Sequence, residues 1–259
     1  AIAVRDGPSI HECSITDDYV IVFDLPVTLS LAALTQGYHF PFRWNKNRPA
    51  RVGLLPRTGS SDDIVWCDID PCYVFHVANS VQHADGSVTI DCCAYESMFA
   101  HGPDGPNGVP CGLERWHVNP ATQKVTRAAI DASPQEFPRI DERFFGQPYR
   151  HTWTVSQPSE AVSNFVADNA LYHHDLESGV KRSYTFGAGK VGGEFVFVPK
   201  SDDAKEADGW LMGLVIDTHD ETIELQFFDA LDIKKGSTGA IFTLHRIPPG
   251  FHGNWIPDS

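Results

Sequence analysis

Short runs of β-branched and aromatic residues, bounded by Gly, Pro, Asn and Asp, dominate the hydrophobic pattern of the chain. Such runs are typical of β-strands. Strands are predicted at residues 19–25, 51–57, 64–69, 70–79, 87–93, 113–118, 124–130, 150–155, 169–175, 181–186, 194–198, 210–217, 222–229 and 239–244. A sustained 3.6-residue period is almost absent, and only residues 29–37, closed by Gly37, predict a short helix. The chain is therefore predicted to be all-β.

Turn chemistry indicates how neighbouring strands are joined. Asp85-Gly86 lies between two predicted strands and is a strong hairpin signal. Strands at spacings of roughly 8–12 residues indicate a sandwich, a barrel or a propeller. Turns between neighbouring strands favour a meander, which is how propeller blades are built, although no sharp internal repeat is visible.

Composition narrows the class of protein. The 259 residues, 42% of them apolar, are enough for one large β domain or two smaller ones. Thirty-four acidic against twenty basic residues leave a net charge of −14, which disfavours nucleic acid as a partner because phosphate binding needs a basic face. No transmembrane helix and no signal peptide are predicted. The start at Ala1, without Met, leads us to expect a piece of something longer.

The six cysteines match no zinc-binding spacing. Cys92 and Cys93 are adjacent within an apolar strand, which is a poor arrangement for a disulfide framework. We therefore expect buried, reduced thiols in a cytoplasmic protein.

Three histidines far apart in the sequence share a setting. His76 lies in an apolar strand, and His11 and His252 lie in short segments beside Gly or Pro. Taken singly, each has an ordinary structural explanation. Together they suggest a metal site at the centre of a β scaffold, because imidazole suits iron, copper, nickel and zinc.

Two glutamates lie next to apolar runs that should be buried, where an unpaired carboxylate is costly. They are Glu136 and Glu194. A metal-bound histidine needs its second ring N–H fixed, most often by a carboxylate, so these residues are candidates for that role. Pairing with Arg139 or Arg150, or exposure to water, is an equally good interpretation.

The remaining histidines receive structural or solvent-facing roles. His173 and His174 precede Asp175 in a predicted turn and are expected to be a solvated pair. The others are His39, His83, His101, His117, His151, His219 and His245.

At these positions the chain resembles the carotenoid cleavage oxygenase family, which includes apocarotenoid and lignostilbene dioxygenases. The resemblance covers the C-terminal half to three-fifths of the family's usual length. Any one matching segment would be weak evidence, whereas all of them in the same order are strong. The segments are residues 10–16 around His11, 71–79 around His76, 136–141 beginning Glu-Phe-Pro, 194–199, 206–210, 228–230 and 249–253.

The resemblance implies a seven-bladed propeller that holds a non-haem Fe(II) on its axis. Carried over by position, His11, His76 and His252 would be the second, third and fourth iron ligands. Glu136 would orient His76, and Glu194 would orient His252. The implied reaction is cleavage of a conjugated carbon–carbon double bond by O2 into two carbonyl products.

The implied substrate is an apolar polyene or a stilbene, held in an apolar tunnel, and the protein fixes geometry while the cofactor carries the chemistry. Phe75 and Phe251 are candidates for the tunnel lining, with core packing as the alternative. Lipid-like substrates would also suit peripheral contact with a membrane.

The chain departs from the family pattern at its start. The first ligand histidine and the glutamate expected to orient His11 have no counterpart, because their segments would precede Ala1. We therefore expect residues 1–259 to form a single, incomplete propeller domain with three of four ligands. Such a piece is expected to bind metal weakly and to expose edge strands that invite association.

Two other functions remain open from the residues alone. A non-catalytic β-propeller could have kept these residues for folding and act as a binding module, or the chain could be inactive on its own. A zinc hydrolase could use three histidines and a water.

Overall fold

The computed structural model of the chain describes residues 1–158, 169–243, 245, 247 and 250–256. Strands predominate in these ranges and the one α-helix is short, so the all-β prediction is confirmed. The chain divides into two compact units, one within residues 1–134 and one that begins at residue 135. The expectation of a single propeller domain stays a prediction.

The first unit consists of ten strands, one short α-helix and a 3-10 turn at Ser61–Asp63. Its elements are β1 (Cys13–Ile15), β2 (Tyr19–Asp24), β3 (Val27–Leu29), α1 (Leu31–Thr35), β4 (Phe42–Trp44), β5 (Ala50–Pro56), β6 (Val65–Ile69), β7 (Tyr73–Gln82), β8 (Val88–Ser97), β9 (Val109–Asn119) and β10 (Lys124–Asp131).

Eight of these strands form one sheet in the order β1-β2-β5-β6-β10-β9-β8-β7, and β3 pairs with β4. Neighbours are antiparallel except where β10 meets β6. The Asp85-Gly86 hairpin between β7 and β8 is confirmed: Gly86 has φ +82°, and the His83 N–H donates to the Ser87 carbonyl. Alternate residues of the strands, such as Ile21, Val52 and Trp116, are buried in one core.

The two end strands of this sheet approach each other. Ser14 of β1 donates a hydrogen bond of 2.8 Å to Ser80 of β7, and Thr16 donates to Gln82 over 3.0 Å. The sheet therefore curls until its first and last strands meet, which brings the segment before β1 beside the middle of β7.

The short helix α1 begins at an N-cap, Ser30, whose side chain accepts the Ala33 N–H. Ala33 is buried, whereas Leu31 and Leu34 are 71% and 55% exposed. Within the described part of the chain, no helix has the length and hydropathy to cross a membrane.

The second unit contains two four-stranded antiparallel sheets, β11–β14 and β15–β18, each a meander like a propeller blade. Two 3-10 turns lie at Glu142–Phe144 and Ile233–Lys235. The strands are β11 (Gln135–Arg139), β12 (His151–Ser156), β13 (Ala170–Asp175), β14 (Val180–Thr185), β15 (Lys190–Pro199), β16 (Gly209–Asp217), β17 (Thr222–Asp229) and β18 (Gly239–Phe242). The predicted strand 239–244 ends earlier, and residue 244 lies outside the described residues, as does residue 249 of the His252 segment.

The core of the second unit is aromatic. Trp153 stacks on Phe197 at 5.3 Å with an interplanar angle of 3°, and Phe195 packs edge-on against Phe228. These rings are buried together with Leu171 and other aliphatic residues. Burial of such large rings supplies much of the driving force for docking one sheet on the other.

The buried thiols agree with the sequence analysis. Cys67, Cys72, Cys92 and Cys93 are buried and none of the six cysteines is bridged, whereas Cys13 is exposed. Burial raises the pKa of Cys72 to about 12, so this thiol is unreactive at neutral pH.

Candidate metal centre

Two of the three predicted ligand histidines lie side by side in the first unit. The ring centroids of His11 and His76 are 5.0 Å apart, and the ring planes are almost perpendicular at 89°. His11 precedes β1 and His76 lies in β7, so the curling of the sheet is what brings them together.

The protonation of the His11 ring follows from its hydrogen bond. Nδ1 of His11 lies 3.0 Å from the backbone carbonyl oxygen of Phe75. A carbonyl oxygen only accepts, so Nδ1 carries the proton and Nε2 carries the lone pair. A backbone carbonyl thus does for His11 what the resemblance assigns to a glutamate without a counterpart in this chain.

The strand that carries His76 is irregular at that residue. The pairing of β7 with β8 shifts between Val74 and Val77 and again between Val77 and Asn79. In this interrupted stretch the Val77 N–H donates to Glu12 over 2.7 Å. Glu12 therefore ties the segment of His11 to the strand of His76. Sequence analysis missed it, although its position directly after His11 was a usable signal.

Phe75 lies against the same pair. Its ring meets His11 edge-on at 4.9 Å and also contacts Tyr73 and Tyr95 at 5.0 and 5.7 Å. It is half-buried against the core of the first unit. Its role in lining a substrate tunnel stays a prediction.

The third predicted ligand, His252, lies in the second unit beside Glu194. His252 Nδ1 is 3.3 Å from Glu194 Oε1, and the Gly253 N–H donates to Oε2 over 3.0 Å. A carboxylate only accepts, so Nδ1 carries a proton here too. The Glu194 side chain is only 6% exposed, so these donors, with Arg139 at 3.5 Å, offset the cost of its burial.

The other second-unit residues of the prediction are Glu136 and Phe251. Glu136 is buried in β11, and its Oε2 accepts the N–H of Phe137 over 2.7 Å. Phe251 is exposed. The predicted roles of Glu136 toward His76 and of Phe251 toward substrate stay predictions.

The donor chemistry fits a divalent metal such as iron. Nδ1 of His11 and Nδ1 of His252 each lie against an acceptor, which leaves Nε2 as the nitrogen that could bind a metal, the usual arrangement of a metal-bound histidine. Across the described ranges, no three His, Cys, Asp or Glu side chains lie close enough together to hold a metal ion. The convergence of all three histidines on one ion therefore stays a prediction.

The prediction that His173 and His174 are solvated in a turn is wrong. Both lie in β13 and are buried. His173 Nε2 is 3.0 Å from Nδ1 of His151 on β12, and its ring stacks on Trp153. His174 Nε2 is 2.8 Å from Gln135 Oε1. β12 supplies His151 and Trp153, and β11 supplies Gln135. The sequence does not reveal how these strands pair.

The pKa values of His151 and His173 are both lowered. Burial, His151 and the Arg182 guanidinium lower the pKa of His173 from 6.5 to about 3. Burial also lowers the pKa of His151. Both rings are therefore neutral at physiological pH.

Comparison with known proteins gives consistent matches over nearly the whole chain. Residues 1–257 match the family described as RPE65, retinal pigment epithelial membrane protein. The carotenoid cleavage oxygenase of Mycobacterium tuberculosis (strain H37Rv) is 32% identical over 99% of this chain and 60% of its own length. The apocarotenoid-15,15'-oxygenase of Synechocystis is 28% identical over 95% of this chain and 51% of its own.

Solved structures agree. The lignostilbene dioxygenase of Pseudomonas brassicacearum superposes with a TM-score of 0.84 and 26% identity, over 97% of this chain and 55% of that one. Cobalt-substituted Synechocystis ACO gives 0.83 and 28%, over 97% and 53%. The chain thus spans between half and three-fifths of the length of these proteins.

Proposed function

The chain belongs to the RPE65/carotenoid cleavage oxygenase family, and from this premise we propose that it carries part of the iron site of a non-haem Fe(II) dioxygenase. Its sheets are those of a partial propeller of this family. The proposed reaction is cleavage of a conjugated carbon–carbon double bond by O2. The proposed substrates are carotenoids, apocarotenoids or stilbene-like compounds, which the names of the relatives suggest.

The observation that carries the proposal is the meeting of His11 and His76. Two histidines from distant parts of the chain lie with their rings 5.0 Å apart, and the tautomer of His11 is set by a backbone carbonyl. If His11 only filled space in the core, its packing would require neither the Nδ1–H tautomer nor a position beside the His76 ring.

The residues proposed to hold Fe(II) are His11, His76 and His252. When bound, the iron would supply the activation of O2 that splits the alkene into two carbonyls. The chain's own contribution is positional. The Phe75 carbonyl keeps a proton of His11 on Nδ1, and Glu194 does the same for His252, so that Nε2 of each ring would be the atom that binds the metal.

Substrate binding in this proposal is apolar. Phe75 presents ring surface beside His11, and Phe251 adds exposed ring surface in the second unit. The proposed reaction needs no general base, so no side chain is assigned to proton abstraction.

We also propose peripheral membrane contact through the exposed side chains Leu31 and Leu34 of α1. A cytoplasmic location is proposed as well, which the buried thiols support.

The test is His76→Ala in the longest form of the protein that its gene encodes. Iron content by mass spectrometry and cleavage of an apocarotenoid and a stilbene by liquid chromatography are expected to be lost together. His117→Ala, an exposed histidine on β9, serves as the matched control and is expected to keep both.

Each alternative predicts a different result. Retained turnover in folded His76→Ala would refute the proposal. A folded wild-type protein that holds neither metal nor activity would select a non-catalytic binding module. Zinc with oxygen-independent hydrolysis would select a hydrolase.

A further inference from the structure

The strand β11 breaks its ladder at the residues beside the His252–Glu194 pair. Glu136 pairs with Val155 and Arg139 pairs with Trp153, and the register shifts between them. Phe137 and Pro138 are thus opposite a single residue of β12, which is the arrangement of a β-bulge. Bulges re-aim side chains and are frequent next to functional sites.

Phe137 holds an unfavourable backbone conformation in this bulge. Its φ is +53°, in the left-handed region that a bulky side chain rarely adopts. Such a conformation persists only where the surroundings enforce it. Trp153 and Phe228 of the core are fully buried, but Phe137 is only half-buried, so core packing does not account for the strain.

The ring of Phe137 lies against His252. The ring centroids are 5.9 Å apart and the planes meet at 77°, which is a favourable edge-to-face arrangement. Because the backbone of Phe137 is fixed, this contact restricts rotation of the imidazole about its side-chain bonds.

Arg139, two residues further along β11, acts on the other member of the pair. Its Nη1 is 3.5 Å from Glu194 Oε1, the same oxygen that accepts from His252 Nδ1. Its Nη2 donates to Glu142. One guanidinium thus spans two carboxylates and holds the Glu194 side chain in place.

We propose that Phe137 and Arg139 are positioning residues for the His252–Glu194 pair. Phe137 fixes the rotation of the imidazole and Arg139 fixes the carboxylate that holds its Nδ1 proton. The inference deepens the proposed function, on which it rests for the statement that His252 Nε2 faces a metal. It also makes a claim about the metal-free protein that can be measured separately.

The first experiment measures the tautomer of His252 in the whole 259-residue chain without metal. Two-bond ¹H–¹⁵N spectra at about pH 8, where an ordinary imidazole is neutral, distinguish the Nδ1–H from the Nε2–H form. Wild type is expected to show the Nδ1–H form alone. Phe137→Ala and Phe137→Gly are both expected to show a mixture, because each removes the ring.

The two substitutions also separate strain from contact. Glycine accepts a positive φ and alanine does not, so Phe137→Gly is expected to unfold at a higher temperature than Phe137→Ala while the tautomer mixture is the same. Glu221→Gly, at another left-handed position in the β16–β17 hairpin, is the control. It is expected to leave His252 unchanged. An unchanged tautomer in both Phe137 variants would overturn the role of Phe137.

The second experiment measures affinity for Co(II), used as an air-stable probe, by titration calorimetry. Arg139→Gln is expected to weaken binding about tenfold, as loss of an outer contact to a ligand usually does. Arg139→Lys keeps the charge but cannot span two carboxylates, so it is expected to resemble Arg139→Gln. Arg150→Gln breaks an Arg–carboxylate pair elsewhere in this unit and is expected to bind like wild type.

The outcomes separate this inference from the proposed function. If wild type binds no Co(II) but the His252 tautomer shifts in the Phe137 variants, the positioning role of Phe137 stands and the metal assignment fails. If wild type binds Co(II) and neither the tautomer nor the affinity changes in any variant, the positioning role is refuted and the metal assignment stands.

Discussion

Acidification is expected to destabilise the second unit through His173. This residue lies in β13 with no solvent exposure, stacked on Trp153 with ring centroids 5.6 Å apart. Within the described part of the chain, its Nδ1 is buried without a hydrogen-bond partner, and its Nε2 meets His151 Nδ1 at 3.0 Å. A second proton on this ring would have to be buried without an acceptor.

The charged groups around His151 and His173 do not remove the free-energy cost of protonating His173. Arg182, the register partner of His173 on β14, opposes protonation, as does the neighbouring His174. Asp175 favours protonation of both rings, and Glu206 favours protonation of His151, but burial outweighs them. The net result is a pKa of about 3 for His173 in the folded chain.

The sign and size of the effect follow from linkage. An unfolded histidine has a pKa of about 6.5. Between that value and about 3, the unfolded state binds a proton that the folded state does not. The contribution of His173 to stability is therefore complete above the unfolded pKa and is lost as the pH falls. Acidification from pH 7 to pH 5 should lower the free energy of unfolding by about 2 kcal/mol through this residue.

The perturbation that isolates this effect is His173→Phe. Phenylalanine keeps an aromatic ring against Trp153 but has no site for a proton. Whatever the substitution does at neutral pH cancels when each protein is compared with itself. The loss of unfolding free energy between pH 7 and pH 5 should therefore be smaller in the variant by about 2 kcal/mol.

Urea unfolding followed by tryptophan fluorescence at several pH values measures this difference. His219→Gln, on the exposed turn between β16 and β17, is the matched control and should keep the wild-type pH dependence. Equal losses in wild type and His173→Phe would refute the reasoning, because they would mean that the buried ring is not what titrates.

Three further predictions concern the first unit. Gly112→Ala should lower the free energy of unfolding, measured in urea, by more than about 2 kcal/mol. The φ of Gly112 is +94°, and an added Cβ would lie 2.3 Å from a backbone carbonyl oxygen. An unchanged unfolding midpoint would contradict this prediction. Leu31→Glu with Leu34→Glu should reduce cosedimentation with phospholipid vesicles without lowering the melting temperature, since both side chains are exposed; equal binding would exclude α1 as the contact. Asp24→Asn should lower the free energy of unfolding, measured by thermal unfolding, by about 3–5 kcal/mol. The side chain of Arg48 is 5% exposed, and the substitution removes the buried carboxylate that pairs with its charge. A change below about 1 kcal/mol would mean that other groups compensate the charge of Arg48.

The strands were predictable because their signal is local. The run in β16 and β17 combines β-branched and aromatic residues with a turn between them, and the two strands pair without a shift over eight residues. Strand pairing across the chain was not predictable. β10 pairs with β6 through a single parallel residue pair, Lys124 with Asp68. No feature of either segment predicts that the two strands are neighbours.

The buried histidines show the same limit. A histidine counts as polar in a pattern, so His173 was predicted to face water. Its burial depends on Trp153 and His151, which come from another strand and become partners only through the pairing of β12 with β13. The character of such a residue is decided by its neighbours and not by its own sequence context.

The resemblance supplied candidate site residues but not their arrangement. The resemblance named His11, His76, Glu194 and His252, and the structure places the first two side by side and the last two within 3.3 Å. Glu12 and the Phe75 carbonyl were missed because they act on the backbone of β7 or through it. Backbone groups leave no mark in a sequence.

Breaks in strand pairing are a feature that the predicted site residues share. The ladders of β7, β11 and β15 all shift register beside a predicted site residue, namely His76, Glu136 and Glu194. A regular strand alternates its side chains between two faces, so a side chain that departs from this alternation requires a break in the ladder. Shifts also occur between β8 and β9, so a bulge alone does not identify a site. The bulge of β11 differs because its strained residue, Phe137, lies against the ring of His252. Packing of the strand alone does not account for that strain.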